Sequence, residues 1–479
     1  MSTKRTCPEA ATMLGLPHVL ISIVQCLSSP RDAIAFLMTL PPASLHAPLA
    51  ATKALLTQSG PFAYTWPHLS LDDLHSESAA LALEALPALL SALEPEPDSN
   101  VWATCDGAMS FVDFVSSWPL TVTHIDTLWP RNIDSTNLCR LLRRCTRLRS
   151  IDISNEDKDV VEMLTAVTTP AHRLKKLSVF YQRATTMDWT SLLRPWLSSG
   201  YARHLAFDNT RTTDMEGLAR ALATTSSLTG LDILNNDDLV GAFLTLQMPL
   251  HQLTSVYLWT QRHDRIRPVL QLLNVTKLTS LALNCMATDY TDVLTLVPRM
   301  TALRHLLLDF GKVCDLDASR WPHLESIELS VVNWTSKAFG ALLKYLERVQ
   351  GLRKLKLDHC DIVYDHVADV SLVLRRLIYN GLTLASLIGT GLDDARAATL
   401  ARMLRQSRNP LPVTLHLKDN EVTIGGVRWL LKALATCSFV RVVIDTIKHA
   451  DLHAAAATYG MACDMHKNAC MLYSPFTIS

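Results

Sequence analysis

The chain has 479 residues, of which 48% are hydrophobic, and its 45 basic and 45 acidic residues give a formal net charge of zero. This length allows a large buried core. The balanced charge argues against a general nucleic-acid-binding surface, because phosphate backbones attract an excess of lysine and arginine. The longest apolar runs are too short to cross a membrane, and the eleven cysteines show no paired framework, which favours a reducing compartment, cytoplasmic or nuclear.

The first 115 residues are predicted to form a small all-α region. Proline-containing breaks at 41–42 and 95–98 separate short apolar segments. Pro17 and Pro30 suit the first turn of a helix, where a missing backbone N–H costs little. We expect helices over residues 18–27, 30–40, 43–58 and 76–93.

A spaced apolar triplet returns about every 26 residues between residues 122 and 444, a period typical of stacked structural repeats. We count thirteen copies. Clear copies include Leu352-x-x-Leu355-x-Leu357 and Leu278/Leu281/Leu283, and looser ones include Val122/Ile125/Thr127 and Leu384/Leu387/Gly389. Residues four and six of each copy alternate as in a strand, and a helical pattern such as 215–222 or 338–346 follows a polar turn.

These repeats resemble the leucine-rich repeat family, in particular its ribonuclease-inhibitor type. The best matches are 352–362 and 412–422, with Cys360, Asn420 and, in a third repeat, Asn236 at the position that the family gives to Asn or Cys. The resemblance implies an α/β solenoid (horseshoe) with a parallel concave sheet and convex helices. We expect this solenoid over residues 116–460 and a C-terminal cap or tail over 461–479.

Residues three, five and seven of each repeat are predicted to face the concave surface of the sheet. Such surfaces are long and rigid and suit another macromolecule. Aromatic side chains ringed by charge are typical of protein-binding sites, although a terminal segment or a loop that covers these residues would give the same pattern. The candidate partner-binding residues are Phe180, Leu234, Tyr257, Trp259, Leu307, Asp232 and Asp309.

Residues 16–27 resemble the opening half of an F-box, in which Leu-Pro leads into an apolar helix and a second helix follows. In that family the motif docks on a Skp-type adaptor of a cullin ubiquitin ligase, and leucine-rich repeats behind it select the substrate. The alternative is that these helices only cap the open end of the solenoid. The resemblance implies adaptor-binding roles for Leu16, Pro17, Leu20, Ile23, Val24 and Leu27.

The sequence offers little catalytic chemistry. It has no phosphate-binding Gly-Lys-Ser/Thr loop, no Gly-x-Ser-x-Gly elbow and no His-Glu-x-x-His. One cluster has zinc-ligand residue types, but its spacings are common by chance and such residues also fill a C-terminal cap, so we predict neither a metal nor another cofactor. The cluster comprises His449, His453, Cys463, His466 and Cys470.

Two classes of function remain. The first is a non-catalytic receptor that selects protein substrates for a cullin-type (SCF) ubiquitin ligase, with Skp-type adaptor and cullin as partners and the target on the concave face. The second is a stand-alone leucine-rich repeat scaffold, inhibitor or GTPase regulator without a ligase link. Neither class requires nucleic acid or a membrane, and the sequence does not identify the target or the oligomeric state.

Overall fold

The computed structural model describes residues 17–27, 30–42, 45–57, 81, 84–85, 88, 124–126, 135–154, 157–169, 171–180, 186–209, 211–407, 411–445, 449–461, 463–466 and 469–474. The chain forms two compact units, residues 1–203 and 204–479. The boundary between them lies inside the stretch that carries the apolar triplets.

The first unit begins with three helices, α1 (Pro17–Cys26), α2 (Pro30–Thr39) and α3 (Ala47–Thr57). Helices α1 and α2 begin at Pro17 and Pro30, as predicted, and α3 is confirmed as a helix that begins four residues later than expected. The fourth predicted helix lies almost entirely outside the described residues. Apolar side chains from the three helices form one buried cluster, which includes Leu20, Val24, Leu37, Leu49 and Leu55.

The same unit then alternates strands and helices: β1 (His124–Asp126), α4 (Ser135–Arg144), β2 (Ser150–Ser154), α5 (Asp157–Val167), β3 (Lys176–Phe180), β4 (Thr186–Met187) and α6 (Trp189–Leu197). Strands β1, β2 and β3 pair in parallel, with Ile125 opposite Ile151 and Ile151 opposite Leu177. These three residues all hold the fourth position of their triplets, so the predicted register is confirmed here.

The second unit continues this alternation. Its strands are β5 (His204–Asp208), β6 (Arg211–Thr212), β7 (Gly230–Leu234), β8 (Ser255–Trp259), β9 (Ser280–Asp289), β10 (His305–Val313), β11 (Ser326–Trp334), β12 (Lys354–Asp358), β13 (Leu384–Ser386), β14 (Val413–His416), β15 (Val440–Asp445), β16 (Cys463–His466) and β17 (Ala469–Tyr473). Its helices are α7 (Met215–Thr224), α8 (Asp237–Leu246), α9 (Ile266–Leu272), α10 (Thr291–Leu294), α11 (Ser336–Leu346), α12 (Ile362–Asp365), α13 (Val367–Tyr379), α14 (Asp394–Gln406), α15 (Ile424–Leu434) and α16 (His449–Thr458).

Strand order in the second unit follows chain order from β5 through β15, omitting β6, and every pair in that run is parallel. Parallel neighbours require a crossover after each strand, and crossovers of one hand place the helices on one side of the sheet. Residues four and six of the triplets are buried beneath those helices, as Leu355 and Leu357 illustrate. The sheet ends differently, because β17 pairs antiparallel with both β15 and β16.

One triplet was assigned to the wrong residues. The prediction placed Leu384, Leu387 and Gly389 at positions one, four and six, but the register pairs Ala385 with Leu355, which shifts this repeat by two residues. The observed triplet is Leu382/Ala385/Leu387, and all three residues are buried. The small Ala385 at position four hid the true phase, because Leu387 satisfies either position four or position six.

Sharp turns follow the strands. The residue at position eight has a positive φ in seven repeats of the second unit: Asn209, Asn235, Phe310, Val331, His359, Gly389 and Asp419. Asparagine, aspartate and glycine tolerate this left-handed backbone, which turns the chain away from the sheet. Phe310 and Val331 do not favour it, and they lie inside the unusually long strands β10 and β11, which continue beyond them.

The family's asparagine position is filled in three different ways. Asn420 donates hydrogen bonds to the carbonyl oxygens of Leu387 (2.8 Å) and Leu417 (3.0 Å) and accepts them from the N–H groups of Thr390 (3.0 Å) and Leu392 (2.9 Å). This residue therefore ties neighbouring repeats together. Asn236 instead caps α8 by accepting from the N–H of Leu239 (3.1 Å), while the Cys360 thiol lies 3.7 Å from the carbonyl oxygen of Leu329.

The fold class is therefore α/β: a leucine-rich repeat solenoid with a long parallel sheet, preceded by a small helical region, as predicted. No helix among the described residues has the length and apolar character needed to span a bilayer.

Candidate functional site

The candidate site lies on the face of the second unit's sheet that points away from the buried triplets. We call this surface the open face, and it consists of residues three, five and seven of the repeats built on β5 to β15. Strand β8 shows the pattern most simply, since Val256 and Leu258 are buried whereas Ser255, Tyr257 and Trp259 are partly exposed. Successive strands in parallel register place equivalent positions of neighbouring repeats side by side.

The register brings several predicted partner-binding residues together. Asp232 lies opposite Tyr257, and Leu234 lies opposite Trp259 on the adjacent strands β7 and β8. Tyr257, Trp259 and Leu307 are partly exposed, whereas Leu234 retains only 8% of its accessible surface. Tyr257, Trp259 and Leu307 are thus accessible apolar contact points on the open face, and Leu234 lies opposite Trp259 on the neighbouring strand.

Phe180, the remaining predicted residue, belongs to the first unit. It ends β3 and is partly buried there.

Three aspartates of the open face surround Tyr257: Asp208 on β5, Asp232 on β7 and Asp309 on β10. Burial raises the pKa of the Tyr257 hydroxyl, the hydrogen bond with Asn284 opposes this, and the three carboxylates raise the pKa further. Asp232 has a partner, since its Oδ2 lies 2.8 Å from Nε2 of His204. The aspartates therefore create a negative field that is centred on an aromatic ring.

Asp208 and Asp309 are only partly compensated. Burial raises the pKa of Asp208, and a weak hydrogen bond from Asn235 (3.4 Å) lowers it by less. Burial also raises the pKa of Asp309, although hydrogen bonds from Ser330 and the N–H of Phe310 act in the opposite direction. Within the described residues neither carboxylate forms an ion pair with lysine or arginine. The charge of His359 also lowers the pKa of Asp309, but burial outweighs it, so burial dominates at both carboxylates.

Asn284 lies between Trp259 and Asp309 in the same row of position-seven residues. Its Nδ2 donates to Oδ2 of Asp309 (3.1 Å). Asn284 retains only 5% of its accessible surface, and its Oδ1 has no hydrogen-bond partner among the described residues. A buried acceptor without a donor costs about 1–3 kcal/mol.

The next strands carry the opposite charge. Glu328 on β11 forms ion pairs with Lys354 (2.8 Å) and Lys356 (3.2 Å) on β12. Burial alone would raise the pKa of Glu328, but the two ammonium groups outweigh it and lower the pKa. On β14, burial and then the positive charges of Arg441, Lys356 and Lys418 lower the pKa of His416 to about 4.

The open face is thus divided into an acidic, aromatic half on β5–β10 and a basic half on β12–β15, with Glu328 neutralising the boundary. Several contributors to this arrangement were not among the predicted site residues, including Asp208, His204, Asn284, Glu328, Lys354 and Lys356. Counting to position seven from Leu278 identifies Asn284 as a residue of the open face. Its unpaired acceptor depends on side-chain geometry and has no signal in the sequence.

The residues to which the F-box resemblance assigns adaptor binding divide into two groups. Leu20 and Val24 lie in the core between α1, α2 and α3 and are 1% and 0% exposed. Pro17 is exposed, and Ile23 and Leu27 are partly exposed. Leu16 lies outside the described residues. The buried pair therefore stabilises the helical packing, and only the second group is accessible from outside.

The C-terminal histidines and cysteines form one close pair. Sγ of Cys463 lies 3.3 Å from Nδ1 of His453, and Cys470 is fully buried in β17. The side chains of His449 and His466 lie outside the described residues. No group of three or more metal-ligand side chains occurs in the part of the chain that the structure describes.

No protein-family model matches the chain, and no curated protein matches it either. Similar solved structures include an internalin (InlF) from Listeria monocytogenes, 15% identical over 64% of this chain and 83% of that one, with a TM-score of 0.33. The Rad7–Elc1 complex from yeast contains a chain 14% identical over 63% of this chain and 81% of that one, with a TM-score of 0.41. Because these scores are low, the fold assignment rests on the strand register of this chain.

Proposed function

We propose that this protein is a non-catalytic receptor that binds a target protein on the open face of its repeat sheet. The observation that carries the proposal is that Tyr257, Trp259 and Leu307 share the open face with Asp232 and Asp309, on strands β7, β8 and β10 of one parallel run. Aromatic anchors within a charged rim are the usual composition of protein-binding hot spots. A parallel sheet also holds its side chains rigidly, which reduces the entropy lost on binding.

The more specific proposal is that the receptor selects substrates for a cullin-type ubiquitin ligase, with its N-terminal helices docked on a Skp-type adaptor. The support is the F-box-like opening of α1 together with the order of elements, helices first and repeats after them. Pro17, Ile23 and Leu27 are the accessible apolar residues through which such docking would occur. In this arrangement the transfer of ubiquitin belongs to the partner enzymes.

The docking proposal is tested by co-purification from cells. A tagged full-length protein is expected to bring down a Skp-type adaptor and a cullin. Replacing Ile23 with Glu should abolish this, because the charge enters the accessible side of α1. Replacing the exposed Ser22 with Glu adds the same charge one residue away and should leave the complex intact. Leu20 is unsuitable for this test, because a charge there would disrupt the helical core.

If neither adaptor nor cullin co-purifies, the ligase role fails and the alternative stands: a scaffold, inhibitor or GTPase regulator that uses the same face.

Target binding on the open face is tested separately. Replacing both Tyr257 and Trp259 with Ala should weaken a bound target by a few kcal/mol, on the order of 100-fold in affinity or more. Unchanged affinity would refute the open face as the binding site.

A further inference from the structure

The acidic half of the open face contains more negative charge than its own surroundings balance. Asp208 and Asp309 have no lysine or arginine partner within the described residues, and both are partly buried. Lys354 and Lys356, further along the sheet, are already engaged, because both form ion pairs with Glu328. The field around Tyr257 is therefore left for a positive charge from outside.

Asn284 gives an independent indication of a missing donor. It is 95% buried, it faces the same cluster, and its Oδ1 lacks a hydrogen-bond partner among the described residues. Native proteins rarely leave such an acceptor without a donor. A guanidinium or ammonium group placed beside Asp309 would supply one.

The aromatic rings also favour a cation. Tyr257 and Trp259 are two positions apart on β8, so both rings lie on the open face, with the aspartates on either side. A lysine or arginine over such a ring gains about 0.5–2 kcal/mol from the ring's electron-rich face. The carboxylates and the aromatic rings therefore both favour a lysine or arginine side chain at this place.

The spacing of the carboxylates sets the spacing of the cations. Asp232 on β7 and Asp309 on β10 are separated by three strand intervals, about 14 Å, and by two positions along the strands, about 7 Å, which places their Cα atoms about 16 Å apart. One cation cannot contact both carboxylates. Two basic residues four positions apart in an extended segment span about 13 Å, and their long side chains can reach across the remaining few ångströms.

We propose that the target protein of the open face presents an extended segment with two basic residues about four positions apart, one bound near Asp208 and Asp232 and the other near Asp309 and Asn284. The apolar residue between them packs on Tyr257 and Trp259. This inference rests on the proposed function, since it names the chemistry of the partner that the open face binds.

The experiment selects peptides from a randomised displayed library on the immobilised full-length protein. The expected result is enrichment of peptides that carry two lysines or arginines about four positions apart around an apolar residue. A synthetic peptide of the selected sequence should then bind at least tenfold more weakly to the variant with Asp208, Asp232 and Asp309 all replaced by Asn. Asparagine keeps the size and hydrogen-bonding capacity of each residue, and thermal unfolding checks that the variant is folded.

A matched control removes three acidic groups from the helix side of the second unit: Asp238→Asn, Glu347→Gln and Asp365→Asn, all exposed. It should bind the selected peptide within twofold of the unmodified protein, because its net charge changes equally while the open face does not. Equal weakening in both variants, or tight binding by the open-face variant, would overturn the inference. So would selection of peptides without basic pairs.

The Tyr257→Ala/Trp259→Ala variant separates this inference from the proposed function. If peptides without basic residues are selected and still require Tyr257 and Trp259, the proposed function stands and the basic segment is refuted. If no selected peptide depends on these two residues, both proposals fail.

Discussion

Asn284 donates a hydrogen bond from Nδ2 to Oδ2 of Asp309 on the next strand, at 3.1 Å. Ser330 on the opposite neighbouring strand also hydrogen-bonds the Asp309 carboxylate, and both contacts come from neutral groups, not from an ion pair. Burial thus raises the pKa of the Asp309 carboxyl, which has no lysine or arginine partner among the described residues, although the charge of His359 opposes the rise. Stability is sacrificed here, as is common at binding sites.

Replacing Asp309 with Asn should therefore stabilise the protein at pH 7. The folded-state pKa of Asp309 is raised mainly by burial, so the folded state holds this proton more tightly than the unfolded state. Unfolding free energy then falls as the pH rises from the ordinary pKa through the folded value. We expect the variant's melting temperature to exceed that of the unmodified protein at pH 7, with the gap closing toward pH 4.

Replacing Glu328 with Gln should have the opposite effect on stability to replacing Asp309 with Asn. The pKa of Glu328 is lowered in the folded state, since Lys354 and Lys356 outweigh its burial. Its contribution to stability is present above the ordinary carboxyl pKa and is lost as the pH falls through the folded value. This variant should melt at a lower temperature than the unmodified protein at pH 7. If both variants shift the melting temperature in the same direction, the charge assignment of the open face is wrong.

His416 should make the protein less stable in mild acid. Burial, with the nearby Arg441, lowers its folded-state pKa to about 4, so the unfolded state binds the proton first as the pH falls below about 6.5. Between these values the unfolding free energy should decrease, by about 1–3 kcal/mol in total. Chemical denaturation at pH 7, 5.5 and 4.5 should show this slope, and His416→Gln should flatten it. An unchanged slope in the variant would assign the acid sensitivity to other groups.

Asn420→Ala should cost more stability than Asn236→Ala. The first change leaves the N–H groups of Thr390 and Leu392 and two carbonyl oxygens without the partners they have now, a loss of about 3 kcal/mol. The second change removes a helix cap, worth about 1 kcal/mol. Urea denaturation measures both. Equal costs would mean that Asn420 does not link repeats as its geometry indicates.

Tyr290→Phe should destabilise the bulge between β9 and β10. The Tyr290 hydroxyl accepts from the N–H of Cys285 (3.0 Å) and donates to the carbonyl oxygen of Asp309 (2.7 Å), and the residue is fully buried. Its removal should cost about 1–3 kcal/mol, because a buried N–H loses its acceptor. The cost is read from denaturation midpoints. A change below 0.5 kcal/mol, within the range of ordinary surface substitutions, would contradict this role.

The sequence predicted the repeated strand–helix architecture because burial imposes it locally. Leu355 and Leu357 must alternate with Lys354 and Lys356 if one face of the sheet is covered by helices, and this alternation is visible without any structure. The repeat positions were misassigned only at β13, where the core position is held by Ala385, a residue too small to be recognised as part of the apolar pattern.

For the candidate site, the sequence predicted which residues lie on the same surface of the sheet, but not their side-chain contacts. Position counting places Tyr257, Trp259 and Asp232 on one surface, but not the His204–Asp232 pair or the burial of Leu234, which depend on side-chain packing between strands. The F-box resemblance likewise could not show that Leu20 and Val24 turn into the helical core while Ile23 remains accessible. Helix periodicity gives two apolar sides for α1, and only the positions of α2 and α3 distinguish them.

The most direct test of the open face as the target-binding surface is site-specific photocrosslinking in cells. A photoreactive amino acid is placed at Leu307, on the open face, or at Leu372, which is 57% exposed on α13. We predict a discrete crosslinked protein from position 307, lost when Tyr257 and Trp259 are replaced with Ala, and none from position 372. The same crosslinked protein from position 372, with none from position 307, would contradict it.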